Sequence, residues 1–93
     1  MRKIEASTAF KRDLKREGKG RYRTSLANDL QLVLQELLKD LPLEPRCRDH
    51  DLTGNWVGYR ECHIKPDLLL IYKATEENTL RLARLGSHSE LFG

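Results

Sequence analysis

The sequence predicts an α+β domain in which two helices back a mainly antiparallel sheet. Three observations carry that expectation. Apolar residues recur at helical spacing over residues 22–41. Three short apolar runs follow residue 58, divided by turn sequences. The chain is 93 residues long, enough for one core and one domain, residues 1–93.

Arg2-Lys3-Ile4-Glu5-Ala6 reads as a short strand. Ser7 is a candidate N-cap, because its hydroxyl can accept from a free amide of the first helical turn. A helix is expected from there to about Glu17, with Phe10 and Leu14 four apart, and Gly18-Lys19-Gly20 breaks it. The second helix is expected from about Tyr22 to Leu41. Leu26, Leu30, Val33, Leu34, Leu37, Leu38 and Leu41 step by three and four and make one apolar stripe. Pro42 ends it, since the residue before proline is biased out of the helical region. The two helices read as a hairpin whose stripe needs a sheet to cover it.

Residues 42–55 read as irregular, with Pro42, Pro45, Asp49, Asp51, Gly54 and Asn55 all favouring turns. Three strands follow as a meander. Tyr59 to Ile64 is the first, and Lys65-Pro66-Asp67 turns the chain. Leu68 to Ala74 is the second, and its Leu-Leu-Leu-Ile run implies burial on both faces and a central position. Thr75-Glu76-Glu77-Asn78 turns again into Thr79 to Leu85. Gly86-Ser87 leads to a tail, His88 to Gly93, with room for a short helical turn. The order is β-α-α-β-β-β.

Composition excludes some classes. No apolar run approaches the roughly 20 residues of a membrane span. No apolar stretch follows the charged Met1-Arg2-Lys3-Ile4, so no secretory signal is read and a cytoplasmic location is expected. Cys47 and Cys62 are too few for a disulfide scaffold and are expected as free thiols. The net charge of +3 understates a local bias. Residues 1–23 hold nine Lys/Arg against three Asp/Glu, a net of +6, while residues 24–93 hold eight against eleven, a net of −3. A basic segment suits a polyanion such as RNA, although a charge cluster alone is more often a solvated helix face.

All three histidines lie in the second half. Strand alternation puts Tyr59, Glu61 and His63 on one face and Arg60, Cys62 and Ile64 on the other, with His63 projecting outward. Asp67 follows His63 in the turn, and Arg84 shortly precedes His88. Such a set meets the needs of metal-free RNA cleavage. A base must take the 2′-hydroxyl proton, an acid must protonate the leaving 5′-oxygen, and a cation must steady the phosphorane. Three scattered histidines do not establish this by themselves, and the acidic residues read mostly as solvated. Zinc is the competing use, from Cys47-x-x-His50 and Cys62-His63. Adjacent strand residues point to opposite faces, so Cys62 and His63 do not readily share one ion. Trp56, between Gly54 and Gly58, is expected to pack its loop onto the sheet. Phe92 ends the tail and has little to bury against.

The stretch Asp49-His50-Asp51-Leu52-x-Gly54-x-Trp56-x-Gly58-Tyr59-Arg60-Glu61-x-His63-Ile64-x-Pro66-Asp67-Leu68 resembles the core of YafQ-type toxins of the RelE/ParE superfamily. Leu70-Ile71-Tyr72-Lys73, Arg84-x-Gly86-x-His88 and Leu91-Phe92 match further elements of that family. The resemblance implies a microbial-RNase-like twisted sheet and a toxin that cleaves messenger RNA in the ribosomal decoding site without cofactor or metal. Its implied catalytic group is His50, His63, Asp67 and His88, with Phe92 and Glu61 in support; Glu61 stands where the family often has Asp. Arg60 and Arg84 fall on family arginines, Arg84 being the better phosphate contact. Lys11, Arg12, Lys15, Arg16, Lys19, Arg21 and Arg23 are then expected to grip ribosomal RNA without reading its sequence. The implied partners are the ribosome, messenger RNA and an antitoxin with an acidic toxin-binding segment, through which alone operator DNA would be met. The same superfamily contains ParE-like inhibitors of DNA gyrase, so fold cannot choose between them. A non-catalytic RNA-binding module and a degenerate toxin kept for operon regulation complete the alternatives.

Overall fold

The structure, a computed structural model, describes residues 2–93. Its elements are β1 (Lys3–Ala6), α1 (Thr8–Glu17), α2 (Leu26–Leu38), β2 (His50–Asp51), β3 (Arg60–Lys65), β4 (Leu68–Ala74), β5 (Thr79–Gly86) and α3 (His88–Phe92). One five-stranded sheet has the order β1-β5-β4-β3-β2. The β3-β4-β5 meander is antiparallel, and β1 joins it by pairing in parallel with β5, Lys3 opposite Thr79 through Ala6 opposite Leu82.

β4 is central, as its apolar run predicts, and Leu68 through Tyr72 are all buried. Leu68, Leu70 and Tyr72 face the helices, where Cys62, Leu80, Leu82 and Leu85 meet Phe10 of α1 and Leu26, Leu30, Val33 and Leu37 of α2. Leu69 and Ile71 point the other way, onto a smaller cluster with Ala83 and Leu91 that Leu52, Trp56 and Tyr59 partly cover. Trp56 thus packs its loop as expected.

α1 begins where Ser7 caps it: the hydroxyl accepts from the Phe10 N–H at 2.9 Å and donates to the Ala83 carbonyl at 2.8 Å. Phe10 is buried, and Leu14, four residues on, is 36% exposed. α2 is shorter than its stripe. Residues 21–25 form turns, so the helix starts at Leu26 rather than Tyr22. It ends before Pro42 acts. Asp40 takes a left-handed φ of 56°, the Leu41 N–H bonds to the Glu36 carbonyl and the Asp40 N–H to the Leu37 carbonyl. Those paired bonds are a Schellman stop, and they leave Leu41 exposed.

Residues 42–55 are also more ordered than expected. Pro45–Cys47 and Gly54–Trp56 are single 3-10 turns, and His50–Asp51 is a short edge strand on β3. Both cysteines are free and buried. Burial pushes the thiol of each up from its ordinary value, away from the reactive thiolate.

Candidate active site

Cross-strand register builds the site in two rows. In an antiparallel ladder, directly paired residues share a face. His50 pairs with Glu61, Glu61 with Ile71, and Ile71 with Arg84. One step along, His63 pairs with Leu69, and Leu69 with Gly86. Ile71 and Leu69 belong to the lightly covered face, so both rows lie there. Two residues beyond the second row stand Asp67, in the exposed β3–β4 turn, and His88, at the start of α3. Antiparallel strands make backward along β4 and forward along β5 the same direction in space. His50 and His63 therefore lie on one face, and Asp67 and His88 stand at the same end of the sheet.

The ring of His50 is held at both nitrogens. Nδ1 lies 2.6 Å from the Arg48 carbonyl oxygen, which can only accept, so Nδ1 carries a proton. Nε2 lies 2.9 Å from Glu61 Oε2, and that contact is attractive only with a proton between them. His50 and Glu61 are thus joined by one short contact between ring nitrogen and carboxylate. Glu61 is not the solvated residue expected from its charge: it is 3% exposed, and its Oε1 has no hydrogen-bond partner among the described residues. His63 Nδ1 sits 3.3 Å from the Pro66 carbonyl, a weak contact that favours a proton on Nδ1 and turns Nε2 away from that carbonyl. His88 is exposed, and its ring centroid is 4.9 Å from that of Phe92. Phe92, 40% exposed, therefore has the imidazole as its neighbour.

α3 is short but well anchored. Ser87 accepts from the Glu90 N–H, and the Glu90 carboxylate accepts from the Ser87 N–H, a complete capping box. Gly86 serves close approach. A Cβ there would meet Arg16 Nη2 at 2.9 Å, Glu90 Oε1 at 3.2 Å and Leu91 Cδ2 at 3.3 Å.

The two family-pattern arginines arrive already paired. Arg60 lies on the helix side, opposite Tyr72. Its Nη1 is 2.6 Å from Asp51 Oδ1, its Nη2 3.2 Å from Asp49 Oδ2 and its Nε 3.2 Å from Asp49 Oδ1, which the Tyr72 hydroxyl also reaches. Asp49 and Asp51 flank His50 and point away from it. One guanidinium on the back of the sheet so fixes the strand that presents the imidazole on the front. Arg60, expected as a phosphate contact, is held in this clamp on the back of the sheet. Arg84 is on the site face but in a fork with Asp13, described below.

The basic segment divides. Lys11, Arg12, Lys15, Lys19 and Arg23 are exposed. Arg21 lies over the Tyr22 ring at 4.8 Å. Arg16 is engaged within the molecule: Nη1 donates to Asp13, Nη2 to the Leu85 carbonyl at 3.0 Å, and Nε contacts Glu17 and Glu90. Arg16, expected with the others to grip RNA, is held by these contacts. A groove of about 490 Å³ between α2, the 45–48 turn and the end of β3 reaches His63, with Arg46 and Arg48 along it.

Sequence reasoning gave no role to Asp49, Tyr72 or Asp13. Asp49 was visible in the motif, next to His50. Asp13 could have been found by its spacing, three residues after Phe10 on the face that α1 buries.

A family model for the bacterial toxin of type II toxin-antitoxin systems, YafQ, matches residues 2–93. The chain is 41% identical over 93 residues to the mRNA interferase toxin YafQ of Escherichia coli (strain K12), covering 99% of this chain and 97% of that one. Its fold superposes on crystalline YafQ from E. coli strain BL21(DE3) with a TM-score of 0.86 at 39% identity, covering 100% of both chains. It also superposes on a chain of the E. coli DinJ-YafQ toxin-antitoxin complex with a TM-score of 0.85 at 41% identity, over 99% of this chain and 98% of that one.

Proposed function

The chain belongs to the YafQ family of bacterial type II toxins, and we propose from that premise that it is an mRNA interferase cutting messenger RNA in the ribosomal decoding site. The observation that carries the reading is the two-row convergence of His50, Glu61, His63 and Arg84 at the sheet end that also carries Asp67 and His88.

The chemistry is a phosphoryl transfer in which the 2′-oxygen attacks phosphorus and the bond to the 5′-oxygen breaks. A base takes the 2′-hydroxyl proton and an acid returns one to the leaving oxygen. His63 serves as base through Nε2, the ring nitrogen that does not face the Pro66 carbonyl. The His50–Glu61 pair lies on the same face, within reach of each other to pass a proton. His88, free of hydrogen bonds among the described residues, exchanges a proton near the scissile phosphate while Phe92 steadies its ring. Asp67 orients an imidazole, and Arg84 holds a phosphate oxygen as the charge grows. The exposed lysines and arginines of residues 11–23 supply contacts to ribosomal phosphates, which position without reading sequence.

The cognate antitoxin is the expected protein partner, as DinJ is for the E. coli protein, and an acidic segment suits the net +6 of residues 1–23. No helix among the described residues is long and apolar enough to cross a membrane, consistent with a cytoplasmic site of action. A ParE-like gyrase inhibitor would have no use for a buried carboxylate set against an imidazole.

Primer extension on a translated message tests the reading. Wild-type protein is expected to create new ends within the reading frame, and His88→Ala to lose them by a factor of about a hundred or more. Undiminished cutting by the variant would remove His88 from the chemistry. A wild-type protein that arrests growth while leaving translated message intact would favour the gyrase reading.

A further inference from the structure

Asp13 is the one carboxylate of α1 buried in the fold, 3% exposed, and the nuclease chemistry makes no direct use of it. Four donors converge on it. Arg84 Nε lies 2.6 Å from Oδ2 and Arg84 Nη2 3.2 Å from Oδ1. The Leu85 N–H donates to Oδ2 at 3.0 Å, and Arg16 Nη1 to Oδ1 at 3.0 Å. Burial by itself would raise this carboxyl; the bonds from Arg84 and Leu85 and the charges of Arg84 and Arg16 hold it below its ordinary value.

The direction of the Arg84 fork matters more than its strength. A guanidinium carries five N–H donors in a rigid plane. Asp13 takes the side edge, using Nε–H and one hydrogen of Nη2. The end edge remains: both hydrogens of Nη1 and the second of Nη2, for which no acceptor is found among the described residues. That edge is the geometry that receives two phosphate oxygens side by side. Without Asp13, an arginine 28% exposed at its side chain would swing among rotamers, and ordering it would fall to the substrate.

We propose that Asp13 is a positioning residue of the nuclease site, acting through Arg84 so that the open edge of its guanidinium is aimed at the phosphate before RNA arrives. The proposal rests on the reading of Arg84 as the phosphate contact. It gives α1 a second task beside its exposed basic surface: the inner side of the same helix orients the cation of the site. The end of β5, where the ladder bulges between Ile71 and Tyr72, is where the helix reaches the strand.

A double-mutant cycle on the cleavage of ribosome-bound message decides it, with thermal melting of every variant to keep loss of fold apart from loss of rate. Arg84→Ala is expected to lower kcat/KM about a hundredfold, and Asp13→Asn about tenfold. Combined, they should act no more strongly than Arg84→Ala alone, within about twofold. A residue that serves only folding would give additive losses, and that result overturns the proposal, as would full activity in folded Asp13→Asn. If Arg84→Ala itself cuts normally, the parent reading of Arg84 fails and the inference falls with it. Asp13→Glu is a second variant that keeps the charge. Placed one methylene further out, it should fold yet lose part of kcat/KM, and only when Arg84 is present; an equal loss without Arg84 counts against the proposal.

Discussion

The two faces of the sheet are built on opposite principles. One is closed by α1 and α2 over Leu68, Leu70, Leu80, Leu82 and Leu85, all at most 2% exposed. The other carries Leu69 and Ile71 under one loop and a helix of five residues, and it shares that ground with Glu61 and Arg84. The first face maximises apolar area removed from water, the main favourable term in folding. The second places charged groups where water is only partly excluded, so that their fields are strong and still open to substrate. β4 belongs to both, its side chains alternating between stability and site. A small fold thus keeps a rigid floor under a polar surface that is poor for stability.

The largest effect expected from this division is on the covered face. Leu70→Ala removes a wholly buried side chain from the centre of the helix-side core and should cost roughly 3–4 kcal/mol. Melting should drop by about 15 °C or more in a domain of this size. Cleavage per folded molecule should stay close to normal at low temperature. A small change in melting would mean that the helix-side core is not the main source of stability.

Asp13 sits where the two regimes meet, and its effect should be intermediate and dependent on pH. Its carboxyl is held below its ordinary value of 3.8 by the bonds from Arg84 and Leu85 that outweigh burial. The ionised form is therefore favoured in the folded state, and the stability it adds is complete above about pH 4. It is lost as pH falls through the lower folded value. Asp13→Asn should cost roughly 2 kcal/mol at neutral pH, discounted for the partial exposure of Arg84. The gap between wild type and variant should close on acidification, read as melting temperature against pH. A gap that widens toward low pH would reverse the sign and contradict the depressed carboxyl.

How much of this was legible without coordinates follows the same division. The covered face was read well, because periodicity reports burial directly: the Leu-Leu-Leu-Ile run found the central strand, and the stripe found α2. Leu41 was misassigned because a period does not say where a helix stops; a left-handed Asp40 did that. The site face was read through motif words, which located its histidines but not its wiring. Strand alternation already sends Arg60 to the back of the sheet, yet it does not show that Arg60 clamps there or that Arg84 is forked at the front. Their partners, Asp49 and Asp13, lie 11 and 71 residues away, and no local pattern encodes such a pairing. Acidic residues read mostly as solvated because charge usually means exposure, and although the resemblance gives Glu61 a supporting role, its burial depends on an edge strand of two residues that propensity does not announce.

The smallest expected effect on stability, and the sharpest test of the contrast, is Glu61→Gln. Glu61 is a buried carboxylate with one oxygen against His50 Nε2 and the other without a partner. Desolvating a charge in this way works against folding, so removing it should leave stability within about 1 kcal/mol of wild type, in contrast to Leu70→Ala. An amide can still donate to Nε2, and the geometry of His50 should survive with its Nδ1 on the Arg48 carbonyl. What is lost is the carboxylate that can take or return a proton through His50. The rate of cleavage should then fall by about ten- to a hundredfold, with its dependence on pH altered and its apparent affinity for the ribosome little changed. A variant that melts far below wild type while retaining its rate would place Glu61 with the covered face, as structure rather than chemistry, and the division between the faces would no longer hold.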